Sequence, residues 1–335
     1  MGQSPSSDSY NTEGEGMPFF QGKSDFGKVN PKIRMYCKSP KKLAHKNDIL
    51  LSVRAPVGDV NIAEGTCCIG RGLAAISGQK EKSYSKYIYY YLLWKKKELE
   101  NIGVGSTFKA IGKKDIEKIL IPLPPLDIQK KIATALDTAN ALIEKRKEQI
   151  EKLDLLIKSQ FIEMFGDPVS NPKAWEMVSL GKRCEIVTGN TPSRAEPENY
   201  GEFIEWIKSD NINTPFTFVT KAQEYLSEAG FKKCRFVEAG SLLMTCIAGS
   251  INCIGNVAVT DRRVAFNQQI NAIVPEQDEV LYLYWLMLLS KPAIHGTINM
   301  ALKGILSKGQ LAKLTFPFPP IELQEQFAAF VEQTD

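Results

Sequence analysis

The chain has 335 residues, of which 43% are hydrophobic and 24% are charged, and it carries a net charge of +4. This length suits two domains that each bury a core, and the composition excludes intrinsic disorder. No apolar run reaches the roughly 20 residues that a membrane-spanning helix needs. No basic segment followed by an apolar one opens the chain, so we expect a cytoplasmic protein without a membrane contact.

The first residues form a polar segment, Gly2–Ser6, that is open to two interpretations. Met-Gly followed by a serine at the sixth position fits the loose pattern for N-myristoylation. A segment of the same Gly-x-[Ser/Thr]-Pro-Ser type, Gly189–Ser193, occurs again in the middle of the chain. This recurrence favours a loop of a repeated unit over a lipidation signal.

Charge is distributed unevenly along the chain. Residues 1–126 carry 20 basic and 12 acidic side chains, residues 127–165 carry 7 of each, and residues 166–335 carry 15 basic and 19 acidic side chains. The first segment therefore suits a polyanion such as nucleic acid. The last segment does not, so any nucleic-acid hypothesis has to explain it.

Short strands, turns and a few helices are predicted on either side of the chain centre. Asn47–Val53 is apolar enough for a buried strand, and Ser83–Leu99 has the pattern of a helix, with Val280–Leu289 as its counterpart. The seven cysteines are odd in number and form no C-x2-C pair, which is typical of a reducing compartment. Cys67 and Cys68 are expected to be buried thiols.

One sequence motif occurs twice, 195 residues apart. The pattern apolar-Pro-apolar-Pro-Pro-apolar-acidic-apolar-Gln is found at Ile121–Gln129 and again at Phe316–Gln324. Upstream similarities occur in the same order: Lys109–Ile111 resembles Lys303–Ile305, and Asp48–Ser52 resembles Ser241–Thr245. We infer that the chain contains two copies of one unit.

The two copies differ at their ends. The loop of the second copy follows Trp175–Thr188, an amphipathic segment that is predicted to form the first strand, and the first copy has no equivalent. The second copy stops at Asp335, where the first continues into a long helix. We therefore expect the chain to begin and end inside its units, and to be less stable or less specific than a chain with both segments.

A long helix is predicted over Asp127–Phe165, because this stretch contains neither Gly nor Pro and consists mostly of strong helix formers. Its 39 residues would extend about 58 Å. Steps of four and three residues predict a coiled-coil seam. The seam comprises Ile132, Leu136, Ile143, Arg146, Ile150, Leu153, Ile157 and Met164.

This helix is expected to need a partner. The basic run Lys145–Lys147 could be a nucleic-acid patch, but the helix is neutral overall, which favours a solvated coiled-coil flank. Arg146, at a seam position, could fix register or contact another subunit. Glu322–Thr334 begins the same helix in the second copy, and two such helices running antiparallel would hold the two units apart.

Enzyme signatures are missing from the sequence. It shows neither the Gly-rich cofactor loop nor the [Asn/Asp]-Pro-Pro-aromatic motif of DNA methyltransferases that act on amino groups, and Gly65–Gly72 lacks the Lys-Ser/Thr of a phosphate loop. His45 and His295 are too few for a zinc site or a histidine-based triad. Asp127–Lys130 is a weak nuclease candidate, because the start of the helix already explains it. We therefore expect no catalytic site and no metal site.

Amide, hydroxyl and basic side chains in the loops are the candidates for DNA binding. Such groups read base edges or bind phosphates, but they also satisfy local turns. The candidates are Gln3, Ser4, Ser6, Ser7, Tyr10, Asn11, Arg54, Lys109, Asn190, Thr191, Ser193, Lys208, Gln268, Gln269 and Lys303.

A repeat of about 190 residues, with a globular unit, a Pro-x-Pro-Pro-x-[Asp/Glu]-x-Gln helix start and a long helix, resembles the specificity subunits of type I restriction–modification systems. The resemblance implies an α+β fold with two mixed α/β target-recognition domains, at residues 1–126 and 167–320. A spacer coiled-coil helix at 127–166 would separate them, and 321–335 would start a second spacer helix. Each domain would read one half of a split, asymmetric site in double-stranded DNA.

The resemblance also implies partners. Two modification (methyltransferase) subunits would carry S-adenosylmethionine, and restriction subunits would use ATP and Mg²⁺, whereas this chain itself would hold no cofactor. The alternative is a coiled-coil oligomerisation scaffold whose globular units bind protein. The charge of residues 1–126 favours DNA, while the acidic second unit keeps the scaffold open. A nuclease or methyltransferase in its own right is the third hypothesis.

Overall fold

The computed structural model describes residues 1–79, 81–102, 110–298 and 304–334. The chain divides into two compact units, Met1–Lys147 and Glu148–Asp335, and the boundary falls within the long helix.

Unit 1 contains short strands followed by helices. The strands are β1 (Tyr10–Asn11), β2 (Met17–Phe20), β3 (Met35–Cys37), β4 (Leu43–Ala44), β5 (Ile49–Ser52), β6 (Val60–Ile62), β7 (Cys67–Ile69) and β8 (Leu73–Ile76). The helices are α1 (Ser85–Trp94), α2 (Lys96–Ile102), α3 (Lys113–Glu117) and α4 (Leu126–Phe165), with 3-10 turns at Ser7–Ser9 and Lys23–Asp25. One sheet has the order β1-β3-β2-β7-β4 and another the order β6-β5-β8.

Strand β5 lies at the centre of unit 1 and is buried on both faces. Ile49 and Leu51 pack with Ile88 and other residues of the α1 core, whereas Leu50 faces a second cluster that includes Phe20. Burial on both sides explains the continuous apolar run, and the predicted buried strand is confirmed. Cys67 and Cys68 are buried in β7, as expected, and the helix predicted at Ser83–Leu99 is divided between α1 and α2.

Unit 2 repeats this arrangement with additional strands. The strands are β9 (Met177–Ser179), β10 (Cys184–Thr188), β11 (Tyr200–Ile207), β12 (Tyr225–Leu226), β13 (Phe236–Val237), β14 (Leu242–Thr245), β15 (Val257–Val259), β16 (Val264–Phe266), β17 (Ile270–Pro275) and β18 (Thr315–Pro317). The helices are α5 (Glu228–Lys232), α6 (Val280–Gly296), α7 (Lys308–Lys313) and α8 (Ile321–Thr334), with 3-10 turns at Leu180–Lys182, Pro197–Asn199, Ser209–Asn211 and Ile251–Cys253. The sheets have the orders β10-β17-β14-β15, β12-β11-β16-β13 and β18-β9.

The repeat inferred from the sequence is present in the structure. Strands β6-β5-β8 with helix α1 in unit 1 correspond to β15-β14-β17 with helix α6 in unit 2. One detail of the sequence comparison needs correction. The amide of Ile111 donates to the Val53 carbonyl and that of Leu306 to the Cys246 carbonyl, so Ile111 corresponds to Leu306 and not to Ile305.

The segment that precedes the second loop forms two strands where one was predicted. β10 pairs with β17 and β9 pairs with β18, with the 3-10 turn between them. In the described part of unit 1, no strand pairs with the matching edge of β8. Leu123 of unit 1 is 57% exposed, whereas its counterpart Phe318, whose amide donates to the Glu176 carbonyl, is 8% exposed.

Helix α4 confirms the predicted long helix. It starts directly after Pro125, whose carbonyl accepts from the amides of Ile128 and Gln129. It ends before Gly166, which has a φ of +79° and so adopts a left-handed conformation that favours glycine. The Trp175 indole donates to the Phe165 carbonyl at 2.9 Å, which satisfies an acceptor that the helix end leaves unpaired.

Candidate nucleic-acid interface

The two Gly-x-[Ser/Thr]-Pro-Ser loops are anchored in the same way. The amide of Gly2 donates to the Leu73 carbonyl at 2.8 Å, and that of Gly189 donates to the Ile270 carbonyl at 3.0 Å. A Cβ atom on Gly2 would lie 2.2 Å from the Gly70 oxygen, and one on Gly189 would lie 2.2 Å from a neighbouring backbone oxygen. Both positions therefore require glycine, and the loop interpretation of the first residues is confirmed.

A tyrosine fixes the proline of each loop. The hydroxyl of Tyr10 donates to the Pro5 carbonyl at 2.8 Å, and that of Tyr200 donates to the Pro192 carbonyl at 2.9 Å. Burial raises the pKa of the Tyr10 hydroxyl above its ordinary value of 10.0, so it stays protonated and donates. Tyr10, a predicted DNA-binding residue, thus holds the loop in place.

The other predicted polar residues of unit 1 divide into engaged and exposed groups. The Asn11 side chain closes a turn through two hydrogen bonds with the backbone of Glu15, and the Ser7 hydroxyl donates to Asp8 at 3.2 Å. Gln3 and Ser6 are exposed. The exposed pair is better placed to meet a ligand than Asn11.

A cleft of about 370 Å³ lies beside the first loop and concentrates positive charge. It is lined by Ser4, Arg54, Arg71 and Lys23, among others, and the Ser4 hydroxyl accepts from the Arg71 amide at 3.2 Å. Lys23 pairs with Asp59 at 2.8 Å, whereas neither Arg54 nor Arg71 forms an ion pair with a described residue. Two exposed guanidinium groups therefore flank the loop.

Sequence reasoning identified Arg54 but missed Arg71. The available signal was the position of Arg71 between Gly70 and Gly72, inside the glycine-rich segment that lacked a phosphate-loop lysine. A guanidinium on a short glycine turn projects from the backbone and donates to phosphate or guanine.

In unit 2 the loop residues mostly bind one another. The Asn190 amide nitrogen donates to the Lys233 carbonyl at 2.8 Å, and its oxygen accepts from the Arg235 amide at 2.8 Å. The Thr191 hydroxyl donates to the Gln268 side chain, and both of these residues are exposed. Thr191 and Gln268 occupy the positions that Ser4 and Arg71 hold in unit 1, so the two loops present different chemistry.

The remaining candidates of unit 2 are also engaged. The Ser193 hydroxyl accepts from the Ala195 amide at 3.3 Å, and Gln269 exchanges hydrogen bonds with Asn267 at 3.1 and 3.2 Å. Lys208 forms an ion pair with Glu224. Lys109 and Lys303 lie outside the described residues.

Two cations near the second loop share one carboxylate. Arg194, which sequence reasoning missed although it directly follows Ser193, pairs with Glu224 at 2.6 Å and lies 4.4 Å from the Tyr200 ring centroid. The hydrogen bond from Lys208, together with that from Arg194, lowers the pKa of the Glu224 carboxyl and keeps it ionised. Arg194 and Lys208 are therefore neutralised, whereas the exposed Arg235 guanidinium donates to the Thr188 carbonyl at 2.6 Å.

The predicted seam of α4 has two environments. Ile157 is buried and Met164 is half-buried in the core of unit 2, next to Phe161. The seam residues Ile132, Leu136, Ile143, Arg146, Ile150 and Leu153 are exposed. An apolar stripe that is exposed over several turns favours the predicted partner helix.

The described residues contain neither a membrane-spanning helix nor a cluster of metal-binding side chains. None of their helices is long and apolar enough to cross a membrane. The same part of the chain contains no group of three or more His, Cys, Asp or Glu side chains placed to hold a metal ion.

Comparison with known families gives a match to both halves of the chain. Residues 1–152 and 172–335 match the family described as type I restriction modification DNA specificity domain. One relative is the putative type I restriction enzyme MjaX specificity subunit of Methanocaldococcus jannaschii, 56% identical over 155 residues, which cover 45% of this chain and 36% of the relative. The type I restriction enzyme MjaIX specificity subunit of the same organism is 34% identical over 167 residues, which cover 44% of this chain and 38% of the relative. The aligned part of the chain thus spans little more than a third of each of these relatives.

Solved structures show the same fold. The S subunit of a type I restriction–modification system from M. genitalium superposes with a TM-score of 0.62 at 16% identity, covering 100% of this chain and 85% of that one. A chain from a study of complex assembly and conformational transition of the type I R-M system gives a TM-score of 0.54 at 16% identity, covering 97% of this chain and 83% of that one.

Proposed function

Because this chain belongs to the family of type I restriction–modification DNA specificity domains, we propose that it selects the DNA sequence on which a restriction–modification complex acts. Each recognition domain reads one half of a bipartite site in double-stranded DNA. Helix α4 sets the spacing between the halves and docks the methyltransferase subunits. The chain has a recognition role, and the chemistry belongs to its partners.

The observation that supports this proposal is the repeated loop. The same Gly-x-[Ser/Thr]-Pro-Ser loop is anchored on equivalent strands once before and once after a helix of 40 residues. The anchoring residues are equivalent, whereas the exposed positions differ, with Arg71 in one unit and Gln268 in the other. Arginine and glutamine offer different hydrogen-bonding groups, so two such loops suit the two halves of an asymmetric target.

The charge distribution fits a complex rather than an isolated chain. Arg54 and Arg71 give unit 1 its own phosphate contacts, while residues 166–335 carry more acidic than basic side chains. We assign the missing phosphate contacts to two modification subunits that carry S-adenosylmethionine, and cleavage to restriction subunits that use ATP and Mg²⁺. The complex would act in the cytoplasm.

We place the recognition domains at residues 1–126 and 167–320, the spacer helix at 127–166 and the start of a second spacer helix at 321–335. Helices Leu126–Phe165 and Ile321–Thr334 support these boundaries. The exposed seam residues between Ile132 and Leu153 would contact the partner helix or the methyltransferase subunits.

The test is to co-purify the chain with a type I modification subunit and to select bound DNA from a randomised pool over a salt series. The expected result is a split consensus with a fixed spacer. A stable complex that selects no sequence would contradict the proposal. It would instead support the oligomerisation scaffold, which the exposed apolar stripe of α4 favours.

A further inference from the structure

The glutamine that ends the repeated motif is completely buried in both units. Gln129, in the first turn of α4, and Gln324, in the first turn of α8, are each 0% exposed. A buried amide that lacks hydrogen-bond partners destabilises the fold, so the partners of these side chains decide what they do.

In unit 1 the Gln129 side chain joins two helix starts. Its Nε2 donates to the Pro124 carbonyl at 2.8 Å and to the Lys82 carbonyl at 2.9 Å, and its Oε1 accepts from the Tyr84 amide at 2.9 Å. Tyr84 is the residue before α1, so the glutamine caps the start of α1 while it holds the segment that leads into α4.

In unit 2 the Gln324 side chain repeats this geometry. Its Nε2 donates to the Pro319 carbonyl and to Asp278 Oδ1, both at 2.9 Å, and its Oε1 accepts from the Glu279 amide at 3.0 Å. Glu279 is the residue before α6, the counterpart of α1. Two of the three bonds, to the proline carbonyl and from the amide before the helix, are therefore the same in both units. The third bond goes to a backbone carbonyl in unit 1 and to a carboxylate in unit 2.

A tyrosine adds a second point of attachment in each unit. The hydroxyl of Tyr87 in α1 donates to the Pro122 carbonyl at 2.9 Å, and that of Tyr282 in α6 donates to the Pro317 carbonyl at 2.7 Å. The proline-rich segment is thus held along its length by one helix of its own domain.

We propose that Gln129 and Gln324 are positioning residues that fix the direction in which each spacer helix leaves its recognition domain. This inference rests on the function proposed above. It makes the buried amide of the motif, together with the length of the helix, a determinant of the permitted distance between half-sites.

Because α4 is long, a small change in the direction of its first turn causes a large displacement of its far end. A helix of 40 residues is about 60 Å long, so tilting its start by about 10° moves its far end by about 10 Å. That displacement corresponds to about three base pairs along the DNA axis, at about 3.4 Å per base pair. Loosening the attachment should therefore widen the range of spacers that is bound.

The experiment uses the complete complex with the modification subunits and a DNA library in which both selected half-sites are fixed and the spacer length varies. Gln129→Met keeps side-chain length but removes all three hydrogen bonds. Gln326→Met makes the same substitution at an exposed position of α8 and serves as the control. We expect Gln129→Met to retain both half-site sequences but to bind spacers over a range about three base pairs wider, while the control keeps the spacer of the wild type.

A Gln129→Met complex that keeps the single spacer of the wild type would overturn the inference and leave the glutamine a purely structural role, even if its thermal midpoint is lower. If that variant does not fold, Tyr87→Phe, which removes only the bond to Pro122, takes its place and is judged by the same spacer range. A wild-type complex that selects no bipartite site would contradict the proposed function, an outcome distinct from an unchanged spacer.

Discussion

Replacing Arg54 and Arg71 together with alanine is expected to reduce the salt dependence of DNA binding by the complex. Both guanidinium groups are exposed on one cleft beside the first loop and form no ion pair with a described residue. If each contacts one phosphate, the slope of log K against log salt falls by about 0.9 per group, or about 1.8 in all. Between about 50 and 200 mM salt, the wild-type complex should then lose about 12-fold more affinity than the variant.

The measurement is fluorescence anisotropy with a duplex that carries the selected site, titrated at four or more salt concentrations. Arg263→Ala is the control, because it removes a positive charge from unit 2 at a side chain that already pairs with Glu238 at 2.7 Å. The control should leave the slope nearly unchanged. Equal slopes for the double variant and the wild type would refute the assignment of phosphate contacts to this cleft.

Three further predictions concern unit 2. Phe161 is fully buried among aromatic rings. Phe161→Ala should therefore lower the free energy of unfolding, measured by urea titration, by about 3–5 kcal/mol, and Phe161→Leu should lower it by less. Similar losses for the two variants would contradict this packing. Burial alone would raise the pKa of Glu205, but hydrogen bonds, first of all from Arg262, hold that pKa below its ordinary value. The resulting stability is present above the unfolded pKa of about 4.3 and is lost as the pH falls through the folded pKa. Glu205→Gln should therefore lose less stability than the wild type between pH 6 and pH 3, and equal losses would count against the pair. Gly189→Ala would place a Cβ atom 2.2 Å from the Asn267 carbonyl oxygen. We therefore expect the free energy of unfolding, measured by thermal unfolding, to fall by about 1–3 kcal/mol. An unchanged thermal midpoint would disprove the close approach.

The elements that could be predicted from the sequence are those that local chemistry specifies. Helix α4 has strong helix formers throughout, prolines before it and Gly166 after it, so its two ends were placed within one residue. The buried strand β5 was recognisable because a strand that is covered on both faces reads as a continuous apolar run. The repeat added independent support, since each feature occurred twice in the same order.

The engagement of polar side chains could not be predicted, because it depends on residues far away in the chain. Asn190 is bound by the backbone of residues more than 40 positions later, and Lys208 by Glu224. The motif glutamine was visible as a pattern, yet its partners Lys82 and Tyr84 lie about 45 residues before it. Sequence could name the candidate loops but could not decide which of their side chains remain available to DNA.

The two units together show which positions can vary without disturbing the frame. Gly2 and Gly189 are restricted by a backbone oxygen 2.2 Å from the site of a Cβ, and the buried glutamines are restricted by three hydrogen bonds each. The positions of Arg71 and Gln268 carry no such restriction, because both side chains are exposed. Under the proposed function, a substitution at these exposed positions changes the groups offered to DNA at little cost to folding, so the two halves can diverge in specificity while the frame is retained.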